Sequence, residues 1–362
     1  MTLRLLIAGG GTGGHLYPGI ALAEAFLALV PGGQVLFVGT RLGLDATVVP
    51  KAGYALAFVR ATKLKNASLG QRLLGLLRLL PALWDAFSVL RRFRPDLVVS
   101  VGGYSAGPTT VAAWLSRVPT VAVEPNAVPG LTNRWLGKLV RRVFVAQEAA
   151  RRWFAAERVE VVGVPLRQAV VASLTRATAT RASHDGLRVL IVGGSQGARF
   201  LNERVPATLR GVDGVEVLHQ TGPSDVEAVT ARYRDAGIAA DVRAYLDDIA
   251  SAYAWTDLAI TRAGASTVAE LAVSGTPAVL VPFPHAADDH QAANAQALAN
   301  AGGAVMVRQE AWSDDTVRAL LADLARDRSR LTAMRAGLAT VARPNAAQDA
   351  MTRSLTLVRR AA

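Results

Sequence analysis

Three glycine-rich stretches, each following a short apolar run, are the chemistry-bearing features of this 362-residue chain. They are Gly9-Gly10-Gly11-Thr12-Gly13-Gly14, Gly102-Gly103-Tyr104-Ser105-Ala106-Gly107 and Gly193-Gly194-Ser195-Gln196-Gly197-Ala198. Glycines at a strand-to-helix turn let backbone N–H groups approach an anion, and the helix N-terminus adds a favourable dipole. Gly9-x-Gly11-x-x-Gly14 matches the dinucleotide fingerprint, but that reading also needs an acid at the end of the second strand to hold a ribose. Here that strand ends Val38-Gly39-Thr40-Arg41, without one. His15 follows the first loop directly, where an imidazole can act as a general base near neutral pH. Taken alone it would be a helix-start histidine bonding locally; the flanking loop favours chemistry. In the second half, Thr261-Arg262-Ala263-Gly264-Ala265-Ser266-Thr267-Val268-Ala269-Glu270 opens a helix on small residues. Glu270 falls one to two turns in, where a carboxylate can accept from two ribose hydroxyls, although by itself it would pass for a solvated helix acid. The polar loop from Pro282 to Asn294 places His290, Gln291 and Asn294 for sugar hydroxyls, with His290 a rival base and Asp288 and Asp289 as helix caps.

Short apolar strands alternating with helical stretches must hold these loops, the pattern of α/β folds with parallel sheets. The strand candidates are 3–8, 34–38, 55–60, 96–101, 119–123 and 142–146, then 188–192, 214–218, 241–244, 257–260, 278–281 and 304–307. Leu5 to Gly14 is echoed by Val189 to Ala198, a buried strand feeding a glycine turn that opens a helix. Two such units imply two Rossmann-like parallel-sheet domains facing a cleft, where a ligand binds. The Thr/Ser/Ala-rich stretch from Gly163 to Gly186 reads as the interdomain connection. The expected domains are 1–163, 164–343 and a terminal helix over 344–362.

Composition removes several classes. With no cysteine there is no disulfide scaffold, thiolate metal site or cysteine nucleophile. The five histidines have no HExxH or HxH spacing and no Asp-x-Asp occurs, so no metal and no cofactor is expected to be required. The N-terminal apolar stretch is too short for a signal peptide and no apolar run is long enough to span a bilayer, which predicts a cytoplasmic protein. Residues 1–163 carry 19 Lys/Arg against 8 Asp/Glu, and residues 164–362 carry 21 against 20. One basic half points to an anionic partner for that half only, and without interleaved aromatics or a DNA-reading motif a membrane surface is preferred to nucleic acid. On a helical wheel of 69–80, Leu69, Leu73, Leu76, Leu77 and Leu80 form a core stripe. Leu79 falls on the other side between Arg72 and Arg78, with Leu74 at the border, as suits an interfacial helix on anionic lipid.

Together these motifs, with Glu124-Pro125-Asn126 and Gly130-Leu131-Thr132-Asn133, closely resemble the MurG-type N-acetylglucosaminyltransferases of peptidoglycan synthesis. They run in family order from residue 9 to 294, so the resemblance covers nearly the whole chain. It implies a GT-B fold whose C-terminal helix crosses back to the first domain; Pro344 to Val358 fits, with an apolar stripe at Ala347, Met351, Leu355 and Val358. It implies inverting transfer of N-acetylglucosamine from UDP-N-acetylglucosamine to the 4-hydroxyl of an undecaprenyl-linked muramoyl-pentapeptide, at the cytoplasmic face of the cell membrane. Carried over by motif, Ser195 and the turn Ala265, Ser266, Thr267, Val268, Ala269 and Glu270 hold pyrophosphate and ribose. Leu246 lies near the uracil, Gln291 contacts the sugar, and Thr12, Gly13, Gly14, Asn126 and Arg167 complete the donor site. The loop of Gly102, Gly103, Tyr104, Ser105 and Gly107 suits the acceptor pyrophosphate. Partners among cell-wall synthesis proteins follow by analogy alone. Two residues depart from the family pattern: Pro125 stands where glutamine is usual, and Val164 where asparagine is usual before Pro165.

The nearest rival is another UDP-sugar enzyme on the same fold, such as a UDP-N-acetylglucosamine 2-epimerase, which needs no greasy basic surface. A dinucleotide oxidoreductase is disfavoured by the missing acid near Thr40. A catalytically silent nucleotide-sugar sensor is the third reading, because a motif does not prove turnover.

Overall fold

A strand covered by helices on both faces must be apolar at nearly every position, and Leu5-Leu6-Ile7-Ala8 and Val189-Leu190-Ile191-Val192 meet that demand. In the computed structural model they are central strands of two parallel sheets. The structure describes the backbone of residues 2–61, 69–179, 184–194 and 197–359, and the side chains of these residues except 69–79, 177–179 and 359. Two compact units form: Met1–Gln168 with Pro344–Ala362, and Ala169–Arg343.

The first unit runs β1 (Arg4–Gly9), α1 (Gly13–Leu29), β2 (Gln34–Gly39), α2 (Asp45–Lys51), β3 (Ala55–Phe58), α3 (Leu69–Phe93), β4 (Leu97–Gly102), α4 (Ala106–Leu115), β5 (Thr120–Glu124), α5 (Leu131–Leu136), β6 (Arg142–Val145) and β7 (Val159–Val161). Helix α6 (Gln168–Ala179) follows, so the stretch read as a plain connection is half helical. The second unit continues with β8 (Leu187–Val192), α7 (Arg199–Thr208), β9 (Val215–Gln220), α8 (Val226–Ala236), β10 (Ala240–Arg243), α9 (Ile249–Trp255), β11 (Leu258–Thr261), α10 (Ala265–Ser274), β12 (Ala278–Leu280), α11 (His290–Asn300), β13 (Ala304–Met306), α12 (Asp314–Arg326) and α13 (Arg328–Val341). Helix α14 (Ala346–Arg359) returns to the first unit. All twelve expected strands are present; β7, three residues with a charged centre, is the addition.

Strand order is β3-β2-β1-β4-β5-β6-β7 in one sheet and β10-β9-β8-β11-β12-β13 in the other, both reversing direction beside the first strand of the unit. Ile7 pairs with Phe37 and Val99, and Ile191 with His219 and Ile260. Ligands bind outside the carboxyl ends of the strands at such a reversal, which is where the glycine loops after β1, β4 and β8 emerge. Alternation sorts the cores. Leu5 and Ile7 pack under α1 and α14 with Leu16, Phe26 and Met351, while Leu6 and Ala8 face Ala86, Leu90 and Ala112 of α3 and α4. In the second unit Val189 and Ile191 meet Leu201, Val229 and Leu321, and Leu190 meets Tyr253, Leu271 and Leu338.

The α14 stripe is buried as the resemblance implied: Met351 is fully enclosed and Ala347 and Leu355 nearly so. In α3 one expectation is corrected. Leu80, assigned to the core stripe, is 61% exposed. The core face is set by Ala82, Ala86 and Leu90, spaced four apart, and Leu80 lies two positions off that row, across the helix, with Trp84 one turn on and 74% exposed. The side chains of Arg72, Leu74, Arg78 and Leu79 lie outside the described residues.

Candidate active site

In the first unit the β1 loop and the β4 loop lie back to back. Gly10 and Gly103 have φ of 150° and 86°, and a Cβ on Gly103 would sit 2.5 Å from the Gly10 carbonyl oxygen. A Cβ on Gly10 would strike the carboxylate of Asp45, the first residue of α2, which is 1% exposed. That carboxylate accepts N–H bonds from Gly11 (2.5 Å) and Thr40 (3.0 Å). The Tyr104 ring lies against Gly11, and its hydroxyl is 3.0 Å from Thr40 Oγ1.

Thr12 and His15 stand at the mouth of this assembly, where α1 begins. Thr12 Oγ1 is 2.9 Å from His15 Nδ1. The hydroxyl holds that edge of the ring. Both His15 Nε2 and Asn133 Nδ2 crowd Gly102, at 3.2 and 3.1 Å from where its Cβ would be. Asn133 donates to Glu124 Oε2 (2.9 Å) and to the Val123 carbonyl (3.1 Å). Glu124, 1% exposed, also accepts from Gly130 N–H (3.2 Å), Asn126 N–H (2.9 Å) and Asn126 Nδ2 (3.1 Å). Burial pushes its carboxyl above the ordinary range and the four donors pull it part of the way back. The Glu-x-Asn and Gly-x-x-Asn motifs thus form one polar node beside His15.

Three further first-unit residues are placed as follows. Ser105 turns inward, 1% exposed, so its hydroxyl is not open to a ligand. Asn126 donates from Nδ2 to Glu124 Oε1 (3.1 Å). Arg167 donates from Nε to Glu24 (2.8 Å), nine residues beyond His15 on α1, which at 1.5 Å per residue is about 14 Å along the helix. The structure does not bring Arg167 to Thr12, Gly13 and Gly14.

In the second unit the β8 loop and the start of α10 line a cavity of about 600 Å³, with Gly193, Gly194, Gly197, Arg262, Gly264, Thr267, Phe283 and Gln291 in its wall. Ser195 and Gln196 lie outside the described residues. Gly197, at φ 73°, rests directly on the Thr221 carbonyl. That contact is fixed from behind: Asn202 Nδ2 donates to Thr221 O and to Asp225, so Asn202 Oδ1 accepts from His219 Nε2 (3.0 Å) and His219 Nδ1 accepts the Tyr233 hydroxyl (2.8 Å). Burial lowers the His219 pKa to about 3, keeping this brace neutral.

Helix α10 begins at Ala265 after Gly264, so its first N–H groups are unpaired by the helix and open to an anion. Ala265 and Val268 point inward and can contribute backbone only; Ser266, Thr267 and Ala269 are partly exposed. Gln291 Oε1 accepts from Ala263 N–H (3.2 Å) and Phe283 N–H (3.0 Å), which leaves its NH2 to donate in the cavity. Arg262 binds the carbonyls of Val281 and Pro282 and Gln309 Oε1, bringing a cation into the wall. Sequence reading gave Arg262 no role; its place between the β11 end and the α10 start was the available signal. Glu270 is half-buried, takes the Tyr253 hydroxyl at 3.4 Å, and burial pushes its carboxyl up to about 7. Leu246 packs into the same cluster as Tyr253, Val268 and Leu271, below the helix that carries Glu270.

The loop after β12 is corrected twice. Asn294 is fully buried and donates to Ala263 O, so it braces the α10 turn and cannot reach a sugar. Asp289 holds the N-cap position of α11 without a side-chain capping bond and pairs instead with Arg308 (2.7 Å). His290 Nδ1 is 2.7 Å from the Ala287 carbonyl, in the second unit.

Two Rossmann-like parallel sheets with glycine loops at both reversals, the second beside a cavity lined by helix amides and a cation, define the GT-B class of nucleotide-sugar enzymes. Residues 5–145 match the model of the glycosyltransferase family 28 N-terminal domain and residues 188–350 that of the C-terminal domain. The UDP-N-acetylglucosamine–N-acetylmuramyl-(pentapeptide) pyrophosphoryl-undecaprenol N-acetylglucosamine transferase of Myxococcus xanthus is 43% identical over 351 residues, covering 96% of this chain and 91% of that protein. The protein of the same name from Geobacter sulfurreducens is 40% identical, covering 96% of each. The crystal structure of Acinetobacter baumannii MurG superposes with a TM-score of 0.84 at 32% identity over 98% of this chain and 99% of that one. A Neisseria meningitidis UDP-GlcNAc 2-epimerase bound to UDP-GlcNAc reaches 0.67 at 13% identity, covering 99% of this chain and 100% of that one, a likeness of fold alone. This chain belongs to glycosyltransferase family 28 and, within it, to the MurG family of N-acetylglucosamine transferases.

Proposed function

We propose that the chain transfers N-acetylglucosamine from UDP-N-acetylglucosamine to an undecaprenyl-pyrophosphoryl N-acetylmuramyl-pentapeptide, the reaction for which its relatives are named. The observation that carries the reading is the second-unit cavity, where glycine-loop amides, the α10 N-terminus, Arg262 and the Gln291 amide converge beside the helix bearing Glu270. Pyrophosphate takes the N–H donors, ribose hydroxyls donate to Glu270, and Gln291 donates to the sugar.

The 4-hydroxyl of the muramoyl sugar attacks the anomeric carbon and the bond to the UDP oxygen breaks with inversion. His15 Nε2 takes the hydroxyl proton while Thr12 holds Nδ1. Charge on the leaving UDP is met by preorganised N–H donors and Arg262, so the step asks for no metal. The lipid acceptor belongs to the basic first unit, with its pyrophosphate at the β4 loop amides. Among the described residues no helix is long and apolar enough to cross a membrane. The first unit instead exposes Leu80 and Trp84, one turn apart on α3, and apolar side chains exposed on a cationic unit suit peripheral attachment to anionic lipid.

Labelled UDP-N-acetylglucosamine and the lipid acceptor, incubated with EDTA, test donor, acceptor and metal independence together. Label in the lipid phase is the expected result. Absence of transfer with the sugar nucleotide still bound would overturn the acceptor assignment.

A further inference from the structure

The first glycine loop has the backbone of a phosphate cradle, but its anion is already in place. Asp45 sits 1% exposed behind the loop and accepts the Gly11 and Thr40 amides with its two oxygens. Gly10, Gly39 and Gly43 all surround the carboxylate so closely that a Cβ on any of them would collide with it. Three glycines converging on one buried carboxylate make a built site for a planar anion. The same amides cannot also serve a ligand phosphate. Thr40, held by Asp45 through its amide, passes the register to the Tyr104 hydroxyl, and Gly11 leads in the next residue to Thr12 and its contact with His15.

We propose that Asp45 is a positioning residue that stands in for a nucleotide phosphate at the first glycine loop. It fixes the loop that presents Thr12 and His15. The proposal rests on His15 serving as base in the transfer reaction. Mispositioning a reacting group by about 1 Å costs on the order of 100-fold in rate. Asp45 acts through the loop and touches no substrate.

Asp45→Asn keeps the shape but turns one N–H against an N–H; Asp45→Ala empties the site. For Asp45→Asn the expected result is a fall in kcat of roughly 10-fold or more, with the KM for UDP-N-acetylglucosamine and the Kd for UDP within about twofold of wild type. For Asp45→Ala, added formate should restore turnover severalfold by refilling the cradle, and formate should leave the wild type unchanged. Formate titrated into UDP-saturated Asp45→Ala should show a binding event that UDP-saturated wild type lacks. Unchanged kcat in Asp45→Asn, a parallel loss of UDP binding, or absence of both formate rescue and the new anion site overturns the assignment. Wild-type enzyme that binds UDP-N-acetylglucosamine yet transfers nothing overturns the transfer reading instead, and the formate titration still decides the cradle.

Discussion

Glu270 offers the most quantitative test of the donor site. Burial raises its carboxyl to about 7 from an ordinary 4.5, so near neutrality the free protein holds this acid partly protonated. Two ribose hydroxyls donate more strongly to the ionised form, both of whose oxygens accept, so binding releases a proton and affinity rises with pH. If only the carboxylate binds, the Kd for UDP-N-acetylglucosamine weakens about tenfold per unit below pH 7, and about thirtyfold between pH 8.5 and 5.5. UDP-N-acetylglucosamine is the right ligand because both its phosphates are esterified and neither titrates in this window. Calorimetric titrations in buffers of different ionisation enthalpy give Kd and the proton count together. Glu270→Gln should bind more weakly at pH 8 and lose the pH slope. The same shift has the opposite consequence for the fold. A raised carboxyl stabilises the folded state at low pH, and that contribution is lost as pH climbs from about 4.5 through about 7. At 1.4 kcal/mol per unit the ceiling is about 3 kcal/mol, reduced by the solvent that reaches this half-buried side chain. Ligand-free Glu270→Gln should therefore melt a few degrees higher than wild type at pH 8 and no higher at pH 4. A flat pH profile for the wild type, or the same slope in Glu270→Gln, refutes the argument.

His15→Ala should lower turnover on the order of 100-fold with the UDP-N-acetylglucosamine Kd unchanged, and near-normal turnover at saturating substrates rules the base out. Glu124→Gln turns an NH2 toward N–H donors in a sealed node, so it should cost about 1–3 kcal/mol in urea unfolding; a variant as stable as wild type contradicts the bonding described. Replacing Leu80 and Trp84 together by serine should weaken co-sedimentation with anionic vesicles at low salt while leaving UDP binding intact, and undiminished sedimentation removes this patch from the membrane contact.

Sequence carried the sheets because a parallel strand between two helical layers must be a continuous apolar run, and Leu5–Ala8 and Val189–Val192 are nothing else. It missed β7, where Val159-Glu160-Val161 has neither length nor continuity, and it read past α6 because Thr and Ser, poor helix formers, outweighed the helix-favouring alanines of that stretch. Loops were legible as glycine spacing, yet what fills them was not. Asp45 lies beyond the strand end where a ribose acid is sought, and only the folded turn carries it back under Gly10. Ser105 and Asn294 show the converse limit: polarity and motif position do not reveal whether a side chain turns into the cavity or into the core.

The return of α14 makes the first unit a discontinuous domain. Its core under β1 includes Ala350, Met351, Leu355 and Leu357, which a ribosome supplies only after the whole second unit has been made. The second unit, one unbroken stretch from Ala169 to Arg343, can finish folding during synthesis, whereas the unit begun first is completed last. Until residues 346–359 emerge, the apolar side of α1 around Leu22 and Phe26 lacks its cover. Damage to the final helix therefore falls on the half of the molecule that carries His15, some 330 residues upstream, and leaves the cores of the second unit, which hold no residue of that helix, untouched.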